Sequence, residues 1–156
     1  MTLEPVVLPG RDGVHELEVV DGRIAAIRSS PALTGRLALP AFAEAHVHAD
    51  RAFASGPRPP SSLTDAIALV AEIKLASTEA IVRERALRLF RRALAHGSLT
   101  VRTHVDVDEL VEERALRGVL AARAELAGQV EVEIVAFATA PNDPVSPDGE
   151  RRLIRA

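Results

Sequence analysis

Cysteine, tryptophan and tyrosine are absent from this 156-residue chain, and aromatic residues make up only 3% of it. Without cysteine there is no disulfide framework, no thiolate nucleophile and no thiolate metal site. Four phenylalanines are the whole aromatic content, too few for a platform on which single-stranded nucleic acid could stack. An excess of charge is lacking too: 19 Lys and Arg against 22 Asp and Glu leave a net charge of −3, with nothing to draw in a polyanion. No run approaches the roughly 18 apolar residues of a membrane span. The opening Met1-Thr2-Leu3-Glu4-Pro5 has neither the basic start nor the apolar stretch of a secretory leader. A Gly-rich phosphate loop, a GxSxG elbow and an HExxH pair are also missing. These absences lead to the expectation of a cytoplasmic protein that binds neither nucleic acid nor membrane.

What is present is a globular composition, 47% hydrophobic and 26% charged. That is enough for one domain with a real core, or for a piece of something larger. Residues 1–36 read as a small β module. In it, Val14–Val20 and Arg23–Ile27 flank Asp21-Gly22, a pair suited to a type I′ connection because both residues accept positive φ. A new strand is expected from Leu37 to His48. The period then becomes helical: Leu63, Ile67, Val70 and Ile73 mark one helix, and a second starts at Ser77-Thr78-Glu79 with a hydroxyl cap and an acid at the positive end of the dipole. Leu99–Val107 reads as a strand, 109–127 as a helix capped by Asp108, and Val130–Phe137 as a strand whose closing run Ile134-Val135-Ala136-Phe137 suits burial on both faces. A last helix would begin near Gly149. Strand–helix alternation of this kind implies right-handed crossovers and a parallel sheet, and it stops mid-pattern at Ala156.

Two clusters could carry chemistry. In His46-Val47-His48 the period-two geometry of a strand aims both imidazoles to one side, at the C-terminal end where parallel sheets place their sites. Two neutral imidazoles can grip a divalent transition metal; the alternative is a pair of surface or hydrogen-bonded histidines. On the strand 101–107, Arg102, His104 and Asp106 share one face and Val101, Thr103, Val105 and Val107 the other. The polar face must look onto water, onto its own members or onto a polar cavity, because burying it unpaired would cost several kcal/mol. Asp50-Arg51 either orients a ligand imidazole or forms a loop ion pair. His15, His96 and Lys74, the only lysine, are expected to be non-catalytic, Lys74 as a solvated or dipole-facing charge.

The stretch from Gly35 to Arg51, containing His46-Val47-His48, resembles the first barrel strand of the amidohydrolase superfamily. Val20-Asp21-Gly22-Arg23-Ile24-Ala25-Ala26-Ile27 is similar to that superfamily's N-terminal β-sandwich hairpin. Arg102-Thr103-His104-Val105-Asp106 and Ile134-Val135-Ala136-Phe137 narrow the resemblance to the cytosine-deaminase-like branch. The resemblance implies an α/β fold: an accessory β-sandwich portion over 1–36, then over 37–156 about three βα units of an incomplete (β/α)8 TIM-type barrel. It implies one divalent metal, zinc or iron, with His46 and His48 as two of its ligands. It also implies a water-derived nucleophile acting on the C–N bonds of cyclic amides or amidines. His104, Asp106, Arg102, Asp50 and Thr139 would then support the ligands or shape the pocket of a small-molecule substrate. Phe137-Ala138-Thr139 stands where a pyrimidine-binding glutamine often follows the third strand. The family's remaining ligands and its acid/base residues come from later strands, so weak or absent metal binding and no turnover are expected of 1–156 alone. A homo-oligomer or a C-terminal remainder would be needed to cover the sheet edges. The alternatives are a non-catalytic remnant that associates with a partner chain and a simple metal-binding module.

Overall fold

The computed structural model describes residues 1–56, 59–108 and 111–137. Along them run β1 (Val6–Val7), β2 (Val14–Val20), β3 (Arg23–Ser29), β4 (Arg36–Leu37), β5 (Phe42–Val47), α1 (Leu63–Ala76), α2 (Glu79–Ala95), β6 (Ser98–Asp106), α3 (Arg114–Glu125) and β7 (Glu131–Phe137). The result is a mixed α/β chain that divides into two units between Ala41 and Phe42.

The first unit is one four-stranded sheet in the order β3-β2-β1-β4. Its hairpin turns where the sequence indicates: Asp21 and Gly22 have φ of +49° and +73°, as a type I′ turn requires. Along β2, His15 and Leu17 are buried and alternate with more exposed neighbours, and Val6 of β1 joins them. Among the described residues no second layer of strands faces this sheet within the unit. The continuous strand expected from Leu37 to His48 is in fact two. Arg36 and Leu37 pair in parallel with Val6 and Val7, Pro40 removes a backbone donor, and β5 begins a separate sheet. The division therefore falls at 41/42 and not at 36/37.

The second unit is built on a parallel sheet in the order β5-β6-β7. Helix α1 starts where the Ser62 hydroxyl accepts from Asp65 N (3.1 Å), and α2 where the Thr78 hydroxyl accepts from Ile81 N (3.3 Å); each satisfies an orphan donor of a first turn. The core lies between β6 and the pair α2–α3, with Val82, Ala86 and Phe90 meeting Val101 and Val105 from the strand and Ala115, Val119 and Ala122 from α3. Full burial of a side chain such as Val or Phe contributes roughly 1.5–3 kcal/mol. Gly118 lets α2 and α3 approach closely: a Cβ there would sit 2.7 Å from Glu79 O and 2.8 Å from Val82 Cβ. Helix α1 is held differently. Leu63, Ile67 and Leu75 are exposed, while Arg114 Nη2 donates to Lys74 O (3.1 Å) and Arg114 Nε to Ser77 O (3.0 Å). A cation thus meets the negative end of that helix.

Two expectations need correction here. The helix after Asp108 begins at Arg114 and not near 109. Asp108 does accept from Val111 N (3.1 Å), but Glu112 adopts φ +50°, outside the right-handed helical region. The run Ile134–Phe137 is half-buried, with Phe137 exposed, because β7 has a neighbour on one side only among the described residues. The helix expected near Gly149 lies outside the described residues.

Candidate functional site

Strand β6 sets the geometry. Its odd-numbered residues Val101, Thr103 and Val105 are fully buried against the helices, so its even-numbered residues face the opposite side of the sheet. Of these, Arg102 is exposed and pairs with Glu133 on β7 (2.7 Å), His104 is half-buried, and Asp106 is only 1% exposed. The register of β5 against β6 shifts between Glu44 and Val47. Such an irregularity re-aims the side chains that follow it, and Glu44 Oε1 accepts from His46 N (3.4 Å) within it. After β5, Ala49 N donates to the buried Thr103 hydroxyl (2.9 Å), which fixes the turn carrying His48 and Asp50 to the central strand.

Three imidazoles meet at this end of the sheet. His46 and His48 have ring centroids 5.3 Å apart, and His104 lies 4.2 Å from His46 and 5.8 Å from His48. Phe137, at the tip of β7, stands edge-on to His48 and His104 at 6.5 and 6.2 Å. The HxH pair is therefore on one side, together with His104. Among the described residues, no group of three or more His, Cys, Asp or Glu side chains is arranged to hold a metal ion. The imidazoles of His46 and His48 are two side chains of the type that can ligate such an ion, fewer than the four donors of a usual site.

Beside the histidines lies a buried charge network. Arg51 Nη1 is 2.6 Å from Asp106 Oδ2 and 3.1 Å from Asp50 Oδ2, and Arg51 Nη2 lies 2.7 Å from His48 Nδ1. Lys74 Nζ reaches Asp106 Oδ2 at 2.7 Å and Asp108 Oδ2 at 2.6 Å. Asp50 Oδ2 also accepts from Asp106 N (3.3 Å). The contacts at the Asp106 side chain are ionic ones: neither of its carboxylate oxygens has a hydrogen-bond partner among the described residues. Burial pushes the Asp50 carboxyl above its usual range, with Arg51 pulling the other way. Burial also pushes His48 below the ordinary imidazole value, and the Arg51 charge adds to that. Both effects favour an unprotonated imidazole, the form that ligates metals.

Of the residues picked out in the sequence, the structure brings together His46, His48, His104, Asp106 and Asp50. It leaves Arg102 paired with Glu133, and Thr139 lies outside the described residues. Lys74 is the residue that sequence reasoning missed. It is 8% exposed and paired with Asp106 and Asp108, so the solvated option does not hold, although it does lie in the last turn of α1 as a dipole-facing charge would. Its signal in the sequence is faint: a single lysine near the end of a helix in which most other residues are apolar. His15 belongs to the first unit, and His96 is the C-cap of α2. A depression of about 690 Å³ lined by Leu99, Leu120, Ala124 and Val130 opens at the other end of the sheet from the histidines.

No protein-family model matches the chain. In sequence it is 30% identical over 146 residues to the N-isopropylammelide isopropyl amidohydrolase of Pseudomonas sp. (strain ADP), which aligns 84% of this chain with 36% of that protein. In fold it matches the 5-methylcytosine deaminase of Klebsiella pneumoniae, solved with 5-fluorocytosine, at a TM-score of 0.84 and 29% identity. That match covers 99% of this chain and 40% of the deaminase. The N-isopropylammelide isopropylaminohydrolase of Burkholderia multivorans matches at a TM-score of 0.73 and 28% identity, over 98% of this chain and 42% of its own. The chain thus spans well under half the length of these proteins.

Proposed function

We propose that this chain, whose relatives in sequence and in fold are members of the amidohydrolase superfamily, contributes the first strands and two metal-ligating histidines of a metal-dependent hydrolase. Its substrates would be cyclic amides or amidines, cleaved at a C–N bond that is not a peptide bond. The observation that carries the reading is the pairing of His46 and His48 on one side of the sheet, 5.3 Å apart, at the C-terminal end of β5. The relatives' names supply the substrate class: an isopropylammelide amidohydrolase and a 5-methylcytosine deaminase both release an amine or ammonia from a nitrogen heterocycle.

In this reading the parallel sheet is the beginning of a (β/α)8 barrel and the four-stranded sheet is part of an accessory sandwich. A divalent metal, zinc or iron, would supply a water nucleophile at neutral pH and polarise the bond under attack. The chain's own residues do the rest. His46 and His48 hold the ion, and Thr103 fixes the turn that carries His48. His104 packs against His46. Phe137 forms an apolar wall beside the imidazoles, against which a flat heterocycle can rest. Asp50 and Asp106 anchor Arg51 beside the ligand. A cytoplasmic setting and association with a further copy or a C-terminal remainder belong to the same proposal.

The test is zinc titration of the full 156-residue chain against a competing chelator, with His46→Ala and His48→Ala alongside. Weak binding that each substitution abolishes is the expected result. Zinc affinity that both variants leave unchanged would overturn the proposal.

A further inference from the structure

A neutral imidazole has one unprotonated nitrogen and so one lone pair to offer. The guanidinium of Arg51 carries only donors, and its Nη2 lies 2.7 Å from His48 Nδ1. His48 must therefore accept at Nδ1, which leaves the ring proton on Nε2. A metal ion needs a lone pair from the same ring. Ligation through Nε2 would move the proton to Nδ1, where it would face the Arg51 donor; ligation through Nδ1 would need the place that Arg51 holds. Either way the two occupants exclude each other.

Resting on the reading of His46 and His48 as metal ligands, we propose that Arg51 is a positioning residue that competes with the metal ion for His48 and swings off the ring onto the buried carboxylates behind it when the ion is bound. The pocket is already built for the second position. Arg51 Nη1 is tied to Asp106 and Asp50, so the guanidinium can turn without leaving its counter-charges. Asp50 Oδ1 and Asp106 Oδ1 are buried and have no hydrogen-bond partner among the described residues. An orphaned buried acceptor is costly, and a released Nη2 is a donor within the same group of side chains. Lys74, 2.7 Å from Asp106, keeps that carboxylate in place through the exchange.

Two measurements on the full chain decide the matter. In the metal-free protein at about pH 8, where imidazoles are neutral, ¹⁵N shifts of His48 should report the Nε2–H tautomer; the Nδ1–H tautomer would overturn the inference. Zinc titration should then show Arg51→Met binding roughly ten- to hundredfold more tightly than the wild type, since a charge-assisted contact no longer has to break. Unchanged or weaker affinity in a variant with a wild-type-like amide spectrum overturns the inference. If Arg51→Met does not fold, Arg51→Lys, which keeps the charge beside Asp50 and Asp106 on a shorter reach, should shift affinity in the same direction, and no shift overturns it. His46→Ala separates the two levels of argument. Affinity insensitive to His46→Ala, or no zinc binding by any form of the chain, removes the ligand assignment and this inference together. Affinity lost in His46→Ala but unmoved by Arg51 substitution removes only the competition.

Discussion

Lys74 Nζ and Asp106 Oδ2 lie 2.7 Å apart with both side chains buried, one near the end of α1 and the other at the last residue of β6. Leu63, Ile67 and Leu75 of helix α1 are exposed, and this ion pair, its extension to Asp108 and the Arg114 contacts join the helix to the rest of the unit. Removing Lys74 takes one of the two cations from Asp106, leaving Arg51 beside it, and takes a cation from Asp108; an under-compensated buried charge costs more than the pair itself is worth.

Lys74→Met is therefore expected to lower stability by roughly 3 kcal/mol, measured by urea denaturation of the full chain. The double variant Lys74→Met/Asp106→Leu should lose less than the sum of the two single variants, because the stranded charge goes with its partner. A loss below about 1 kcal/mol in Lys74→Met would mean that solvent screens the pair as at a surface.

Gly118→Ala sets two effects against each other. Alanine favours a helix interior over glycine by about 1 kcal/mol, whereas the new methyl would press on Glu79 O and Val82 Cβ at 2.7 and 2.8 Å. Backbone cannot yield as a flexible side chain can, and overpacking costs typically 1–3 kcal/mol. The expected outcome is a net loss of about 1–2 kcal/mol. A variant more stable than the wild type in the same denaturation assay would show that α2 and α3 can move apart freely.

The metal-free chain should weaken as it is acidified from neutral pH. His48 titrates below 6.5 when folded, so in the window beneath 6.5 the unfolded chain holds more protons than the folded one. The contribution of His48 is complete above that value and is lost as pH falls toward the folded pKa. Asp50 acts in the opposite sense. Its folded pKa is raised above 3.8, so the folded chain holds more protons just above 3.8, and stability from this group falls as pH rises through that window. Urea midpoints at about pH 8 and about pH 5.5 should therefore converge in His48→Gln relative to the wild type. An identical difference in both proteins would place the pH dependence elsewhere.

Much of this was legible in local sequence because local physics decides it. Asp21-Gly22 can hardly serve anything but a tight turn, Ser62 and Thr78 stand where helix donors need acceptors, and the alternation in 101–106 separates apolar from polar faces before any neighbour is known. What could not be read depends on partners distant in the chain. Lys74 is buried because Asp106 and Asp108, more than thirty residues away, neutralise it. Arg51 turns back toward His48 and forward to Asp106 at once, which no spacing rule encodes. Asp108 accepts from Val111 N as a cap would, yet Glu112 has positive φ and the helix begins at Arg114. The division between the sheets, at Ala41 in place of residue 36, turned on the two-residue pairing of Arg36 and Leu37 with β1.

Because the central strand carries packing on one side and charge on the other, tolerance to mutation along it should divide by parity. Odd positions 101 and 105 answer to volume and would accept only side chains that fill the same space, and 103 must also keep the hydroxyl that holds Ala49 N. Even positions answer to charge: 102 to Glu133 across the sheet and 106 to Lys74 and Arg51. Positions 102 and 104 can therefore change with little effect on the interior, whereas 106 is tied to the packing of α1.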